Sequence, residues 1–147
     1  MLNVNLDRFL TAQRDVYDAA LKEIRTGKKR THWMWFVFPQ ITGLGSSAMS
    51  KTYAIGSIAE AKAYLAHPVL GERLRAITEI MNASVYTDPA AILGSVDAMK
   101  FQSSMTLFDL ISAEQECFRT ALDKFFGRRP DEATVRQIAI WQRAVEN

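Results

Sequence analysis

Apolar residues recur at helical spacing along most of the chain. Leu6, Phe9, Leu10, Val16, Tyr17, Ala20, Leu21 and Ile24 form one stripe, with Asn5 where an N-cap would stand and Gly27 after the last periodic residue, so the pattern predicts a helix over 6–26. From His32 to Phe38 the chain is apolar almost without a break. Such a run fits a buried helix or a buried strand, and periodicity does not choose between them. Thr31 could cap a helix there, and Pro39 would end it, because the residue before a proline is driven out of the α region. No partner strand is evident elsewhere, so a helix is preferred.

Gly43 and Gly45 make 41–47 a loop, and the hydroxyl of Ser46 or Ser47 can cap a short helix running to about Tyr53. Ser57 with Glu60 spells a capping box for a helix through Ala66. His67-Pro68 then interrupts the chain, and proline suits the first turn of the next helix. Val69, Leu70, Leu74, Ile77, Ile80 and Met81 carry that helix until it fades by Ser84. Asp88-Pro89 opens one turn closed by Gly94, and Ser95 caps a longer helix to about Ile111. Ser112 with Gln115 reads as a second capping box, before a helix bearing Cys117, Phe118, Ala121, Leu122, Phe125 and Phe126 that Gly127 stops. A last helix covers about 131–145. No hairpin, repeat, low-complexity tract or linker interrupts the chain. The expectation is an all-α protein, a single-domain irregular bundle of about six to eight helices over 1–147.

Composition narrows the class. At 147 residues and 48% hydrophobic, the chain can bury a core without a disulfide or a metal, which excludes disorder. Its 18 Lys+Arg against 16 Asp+Glu give only +2. That balance argues against binding nucleic acid chiefly by phosphate neutralisation, while weak binding to acidic partners stays open. The lone Cys117 cannot form an intramolecular disulfide, which suits a reducing compartment. Asp7 and Arg8 interrupt the N-terminal apolar residues, so no secretory signal is expected. The longest apolar run, Trp33 to Pro39, falls far short of the roughly 20 residues that cross a bilayer. A cytoplasmic protein with no membrane segment is expected.

Three segments carry a resemblance. His-Trp-Met-Trp-Phe-Val-Phe-Pro-Gln at 32–40, Ser-Ala-Met-Ser at 47–50 ahead of Tyr-Ala-Ile at 53–55, and Ser-Ser-Met-Thr-Leu-Phe at 103–108 resemble those of domain-of-unknown-function family 1810. These are the Rv1873-like proteins, also labelled calpastatin-like. The resemblance runs from about Leu6 to Phe126. It implies a mainly helical single domain and no established activity. Calpain inhibitors of that name are largely disordered and polar, whereas this chain has the apolar content and the caps of a folded domain, so the label carries little weight as a function.

Candidate chemistry clusters near the tryptophans. On a helix, His32 would share a face with Trp35 and Phe36. It could titrate and serve as a general base near neutral pH, or it could cap or hydrogen-bond within the core. It is the one catalytic candidate. Trp33, Trp35, Phe36 and Phe38 could be core or a stacking platform, and either way the indole N–H groups need partners. The Gln40 amide could bridge the turn or read a ligand's edge. Gly43-Leu44-Gly45-Ser46-Ser47 could be a solvated tight turn or could offer backbone N–H groups to an anion. Lys28, Lys29 and Arg30 would add charge if the aromatic segment folds back. Lys100, Ser103 and Ser104 at i, i+3 and i+4 make a polar stripe beside Phe101, Met105 and Phe108. Mid-helix hydroxyls serve close packing or face a ligand. The expected ligand-binding set is Lys29, Arg30, His32, Trp35, Gln40, Gly43, Gly45, Ser46, Ser47, Tyr53, Lys100, Ser103 and Ser104.

Other mechanisms recede. Two distant histidines and one cysteine on an apolar face do not make a zinc site, and no other cofactor is expected. There is no nucleophile elbow, and Cys117 sits among apolar residues where a thiol is inert. Two readings follow. One is a pocket, for binding or for catalysis, that takes an anionic or nucleotide-like small molecule between 32–53 and the helix of Lys100. The other is a non-enzymatic helical interaction module. A single cleft walled by His32, Lys100 and Ser104 favours the first, and their burial apart from one another favours the second.

Overall fold

The N-terminal apolar stripe is divided. In a computed structural model that describes residues 4–146, it forms α1 (Asp7–Gln13) and α2 (Tyr17–Arg25), joined by a turn at 14–16. Met1, Leu2, Asn3 and Asn147 lie outside the described residues. The break, where one helix over 6–26 is expected, coincides with Gln13, whose side chain is buried. Its amide donates to the Phe36 carbonyl at 2.6 Å and to the Tyr64 hydroxyl at 2.9 Å, and Arg73 donates to its oxygen at 3.3 Å. A buried amide so fully paired pins the end of α1. Asn5 accepts the Asp7 amide at 2.8 Å. Helix α2 ends in a Schellman motif, with Gly27 at φ +87°, its N–H on Ile24 and the Lys28 N–H on Glu23.

The aromatic segment is a helix, shorter than 32–38. α3 (Met34–Val37) is about one turn, and Trp33 rather than Thr31 stands at its N-cap. Thr31 instead gives its hydroxyl to Glu23 at 2.6 Å. Phe38 leaves the α region ahead of Pro39. Beyond it Ile41 pairs with Ile55 in a parallel bridge, the one β contact among the described residues.

Ser47 caps α4 (Ala48–Thr52) by accepting the Ser50 amide at 3.1 Å. Ser57 caps α5 (Ile58–Ala66), and Glu60 reaches back to the Gly56 amide, one residue before the box would place it. At α6 (Leu70–Asn82) the cap is His67, whose Nδ1 accepts the amides of Val69 and Leu70. Gly71 approaches α5 so closely that a Cβ there would overlap the Leu65 carbonyl. Asp88 caps α7 (Pro89–Leu93).

Helix α8 (Ser95–Ile111) begins after Gly94, so Ser95 is its first residue and not its cap. The second expected capping box does not form. Ser112 closes α8 by donating to the Phe108 carbonyl, and α9 (Cys117–Phe126) starts after Glu116. Asp131 caps α10 (Glu132–Glu146) through the Thr134 amide. Ten helices among the described residues exceed the expected six to eight, because the first stripe divides and α3, α4 and α7 are single turns. Helix α8 packs against α5, α7, α9 and α10. Around it lies the aromatic core, with Trp33, Phe38, Tyr64, Phe101, Phe108 and Phe118 fully buried. Phe38 meets Phe101 edge-on at 5.0 Å, an arrangement that aromatic quadrupoles favour. Among the described residues no helix is long and apolar enough to cross a membrane.

Candidate functional site

The chain between Gln40 and Ala54 is a loop around α4 whose two ends are tied together. The Ile55 amide donates to the Gln40 carbonyl at 2.8 Å and the Thr42 amide to the Ile55 carbonyl at 2.9 Å. Arg8, from α1, fastens the return: its guanidinium donates to the carbonyls of Thr52 and Ala54 and to Glu60 at 2.8–3.0 Å. One fork of fixed donors satisfies three acceptors, a task suited to arginine. Tyr53 anchors the same segment against the rings of Phe9 and Phe36.

Between this loop and the first turns of α8 lies a cleft of about 330 Å³. Trp35 and Gln40 line it beside Gly43 and Gly45, Tyr53 comes from the loop's return, and Lys100 and Ser103 come from α8. These seven come from four separate stretches of the sequence and belong to the expected set. The cleft also takes Leu44 from the glycine loop, and residues that sequence did not single out: Lys51 from α4, Asp131 at the start of α10, and the apolar Val96 and Met99. Lys51 and Asp131 carry no local pattern and become neighbours only through tertiary packing.

Other expected residues lie elsewhere. His32 precedes α3, so it shares no helical face with Trp35 and Phe36; its side chain is exposed and outside the cleft lining. The cleft walls therefore hold no histidine and no cysteine. Arg30 is exposed and outside the lining. Lys29 folds inward, donating to the Thr31 carbonyl at 2.6 Å and pairing with Asp97 at 2.9 Å. Ser46 and Ser47 are exposed outside the lining, Ser47 being used as a cap. The adjacent serines of α8 part company. Ser103 reaches the cleft while donating to the Met99 carbonyl, and Ser104 is fully buried with no hydrogen-bond partner. The triple of His32, Lys100 and Ser104 does not assemble.

The electrostatics centre on Asp97 and Lys100. Lys100 Nζ lies 4.7 Å over the Trp35 ring and 3.4 Å from Asp97, which also holds Lys29. One carboxylate thus serves two ammonium groups. Among the described residues, the amides of Gly43, Leu44, Gly45 and Ser46 donate no backbone hydrogen bond. Asp131 is fixed on three sides: its amide donates to the Thr106 hydroxyl, and its Oδ2 accepts the amide and hydroxyl of Thr134.

A second polar cluster lies outside the cleft lining. Glu23 accepts the amides of Arg30 and Thr31, the Thr31 hydroxyl and the Trp33 indole. Burial alone would raise its pKa, but these donors outweigh burial and hold the carboxyl down at about 2. Cys117 runs the other way. Burial pushes its thiol up to about 12, with Glu79 and Glu116 adding to the shift, which leaves it a poor nucleophile. Among the described residues, no three His, Cys, Asp or Glu side chains converge as a metal site.

Known proteins bear on the whole chain. No curated protein matches it. The crystal structure of the conserved hypothetical protein Rv1873 from Mycobacterium tuberculosis superposes with a TM-score of 0.89 at 44% sequence identity, covering 91% of this chain and 96% of that one. The family described as protein of unknown function DUF1810 matches residues 3–138. With nearly its full length matched, the chain belongs to the DUF1810 family.

Proposed function

We propose that the protein binds a small anionic molecule, phosphate-bearing or nucleotide-like, in the cleft between the 40–54 loop and α8. The observation that carries this reading is the placement of Lys100, whose ammonium sits against Trp35 at the cleft wall with only a shared claim on Asp97. Lys51 adds a second cation from the loop side, and the amides of Gly43, Leu44 and Gly45, unpaired among the described residues, offer further donors. A partly desolvated ammonium meets an anion with more energy than one in open water. Trp35, Met99 and Val96 supply apolar surface for a ring or chain, as small-molecule sites require. Binding, rather than catalysis, is the reading, since His32 lies outside the cleft lining.

A second reading rests on the exposed Val96 and Met99, 67% and 70% accessible at the cleft rim, which would suit the apolar residues of a protein partner. The experiment that separates the two is a thermal melt of wild type and Lys100→Ala against phosphate, nucleotides and ADP-ribose. A ligand at about 100 times its dissociation constant adds roughly 2.7 kcal/mol of stability. A shift in wild type that Lys100→Ala loses supports the anion site. No shift with any anion, or an equal shift in both, favours the interaction module.

A further inference from the structure

The cleft is not uniformly positive, and its one open carboxylate says what else the ligand carries. Asp131 lines it together with Lys51, Lys100 and Ser103. Its position is fixed by the Thr106 hydroxyl and by both donors of Thr134, all of which leave Oδ1 without a partner among the described residues. The arginines just before it do not neutralise it. Arg128 pairs with Asp123 at 3.1 Å, and the Arg129 guanidinium donates to the Phe126 carbonyl. A carboxylate held by its neighbours on one oxygen only, in the lining of a cleft, repels a bare anion. It accepts hydrogen bonds well, and those to a charged acceptor are the stronger kind.

Neutral polar groups line the cleft as well. The Gln40 side chain makes no hydrogen bond among the described residues, and Ser103 spends its proton on the Met99 carbonyl, leaving its oxygen free to accept. Resting on the anion reading above, we infer that the ligand separates its charge from a set of hydroxyl groups. It is a sugar phosphate, or a nucleotide bound through its sugar: the phosphate lies at Lys51 and Lys100, and the hydroxyls donate to Asp131 Oδ1 and the Ser103 oxygen. Such a molecule removes the clash between Asp131 and the anion by putting donors, not charge, against the carboxylate. The apolar wall of Trp35 and Met99 receives the face of the sugar or an attached base.

The test compares the affinities of inorganic phosphate, n-propyl phosphate, ribose 5-phosphate and phosphoethanolamine for wild type, Lys100→Ala and Asp131→Asn, by calorimetry on the full chain. Asparagine caps helices about as well as aspartate, so Asp131→Asn keeps the start of α10. In wild type, ribose 5-phosphate should bind about tenfold tighter than n-propyl phosphate, the scale of hydrogen bonds to a charged group. That comparison needs no variant. Asp131→Asn, which also relieves the repulsion of the anion, should bind n-propyl phosphate at least as tightly as wild type does and lose most of the difference between the two esters, and Lys100→Ala should weaken both. Equal affinity for the two esters overturns the hydroxyl subsite and leaves the anion site standing. Phosphoethanolamine binding tighter than ribose 5-phosphate, with that advantage lost in Asp131→Asn, overturns it in favour of a cationic group at Asp131. Failure of all four probes overturns both readings.

Discussion

The indole N–H of Trp33 donates to Glu23 at 3.0 Å from a ring that is fully buried. This bond ties the end of α2 to the aromatic segment, two residues before Trp35 lines the cleft. Three more donors converge on the same carboxylate, which keeps it ionised inside the fold.

That carboxylate gives stability a defined pH dependence. Its folded pKa, about 2, lies below its ordinary value of 4.5, so its contribution is complete above about pH 4.5 and is gone once pH falls through about 2. Glu23→Gln should lower stability by about 1–3 kcal/mol at pH 7, the worth of hydrogen bonds to a charged group. Urea unfolding at pH 7, 4.5 and 3 should show the gap between wild type and variant narrowing as pH falls. A constant gap would mean that the charge contributes nothing.

The two neighbouring tryptophans should separate in their energetics. Trp33 is core, and Trp33→Ala should cost about 3–5 kcal/mol, as truncation of a buried aromatic does. Trp35 is half-buried on a cleft wall, so Trp35→Ala should cost about 1–2 kcal/mol, because less area is removed from contact. Chemical denaturation of the two variants side by side checks the order, and equal losses would place Trp35 in the core.

Gly71 should reverse the usual helical preference. In an ordinary helix interior, alanine is better than glycine by about 1 kcal/mol. At this position a Cβ meets the Leu65 carbonyl, which also accepts a hydrogen bond from Arg75 at 3.1 Å. Helices α5 and α6 would have to move apart, so Gly71→Ala should destabilise by about 1–3 kcal/mol. A melting temperature at or above wild type would show that the two helices yield easily.

Ser104 should be dispensable where Ser103 is not. Its hydroxyl is fully buried with no partner, so Ser104→Ala removes an unsatisfied group and should leave stability unchanged or raise it by up to about 1 kcal/mol. Calorimetric melting of the variant decides this, and a loss beyond 1 kcal/mol would reveal a hydrogen bond that the hydroxyl does make.

What the sequence revealed divides along physical lines. Signals that act within a few residues were legible: Gly27 ending α2, Ser47 capping α4, Asp88 capping α7 and Gly127 stopping α9 each work through neighbouring backbone. Signals that depend on distant partners were not. Nothing near Gln13 announces that Phe36, Tyr64 and Arg73 will receive it and break the helix, and Ser112 spells a cap for one helix while its hydroxyl closes another. The cleft follows the same rule. Trp35, Gln40, Lys100 and Ser103 stood out by residue type and spacing, whereas Lys51 and Asp131 enter through packing alone. His32 drops out because α3 starts two residues later than the apolar run.

The most direct measurement of ligand binding in the cleft is an amide and indole NMR spectrum of the full chain titrated with ribose 5-phosphate. Binding there predicts shifts at the amides of Gly43, Gly45, Lys100 and Ser103 and at the Trp35 indole, with the Trp33 indole, locked on Glu23, unmoved. Shifts gathered instead around Ile111 and Gln142, which line a separate surface cleft, or a spectrum that does not change, would contradict it.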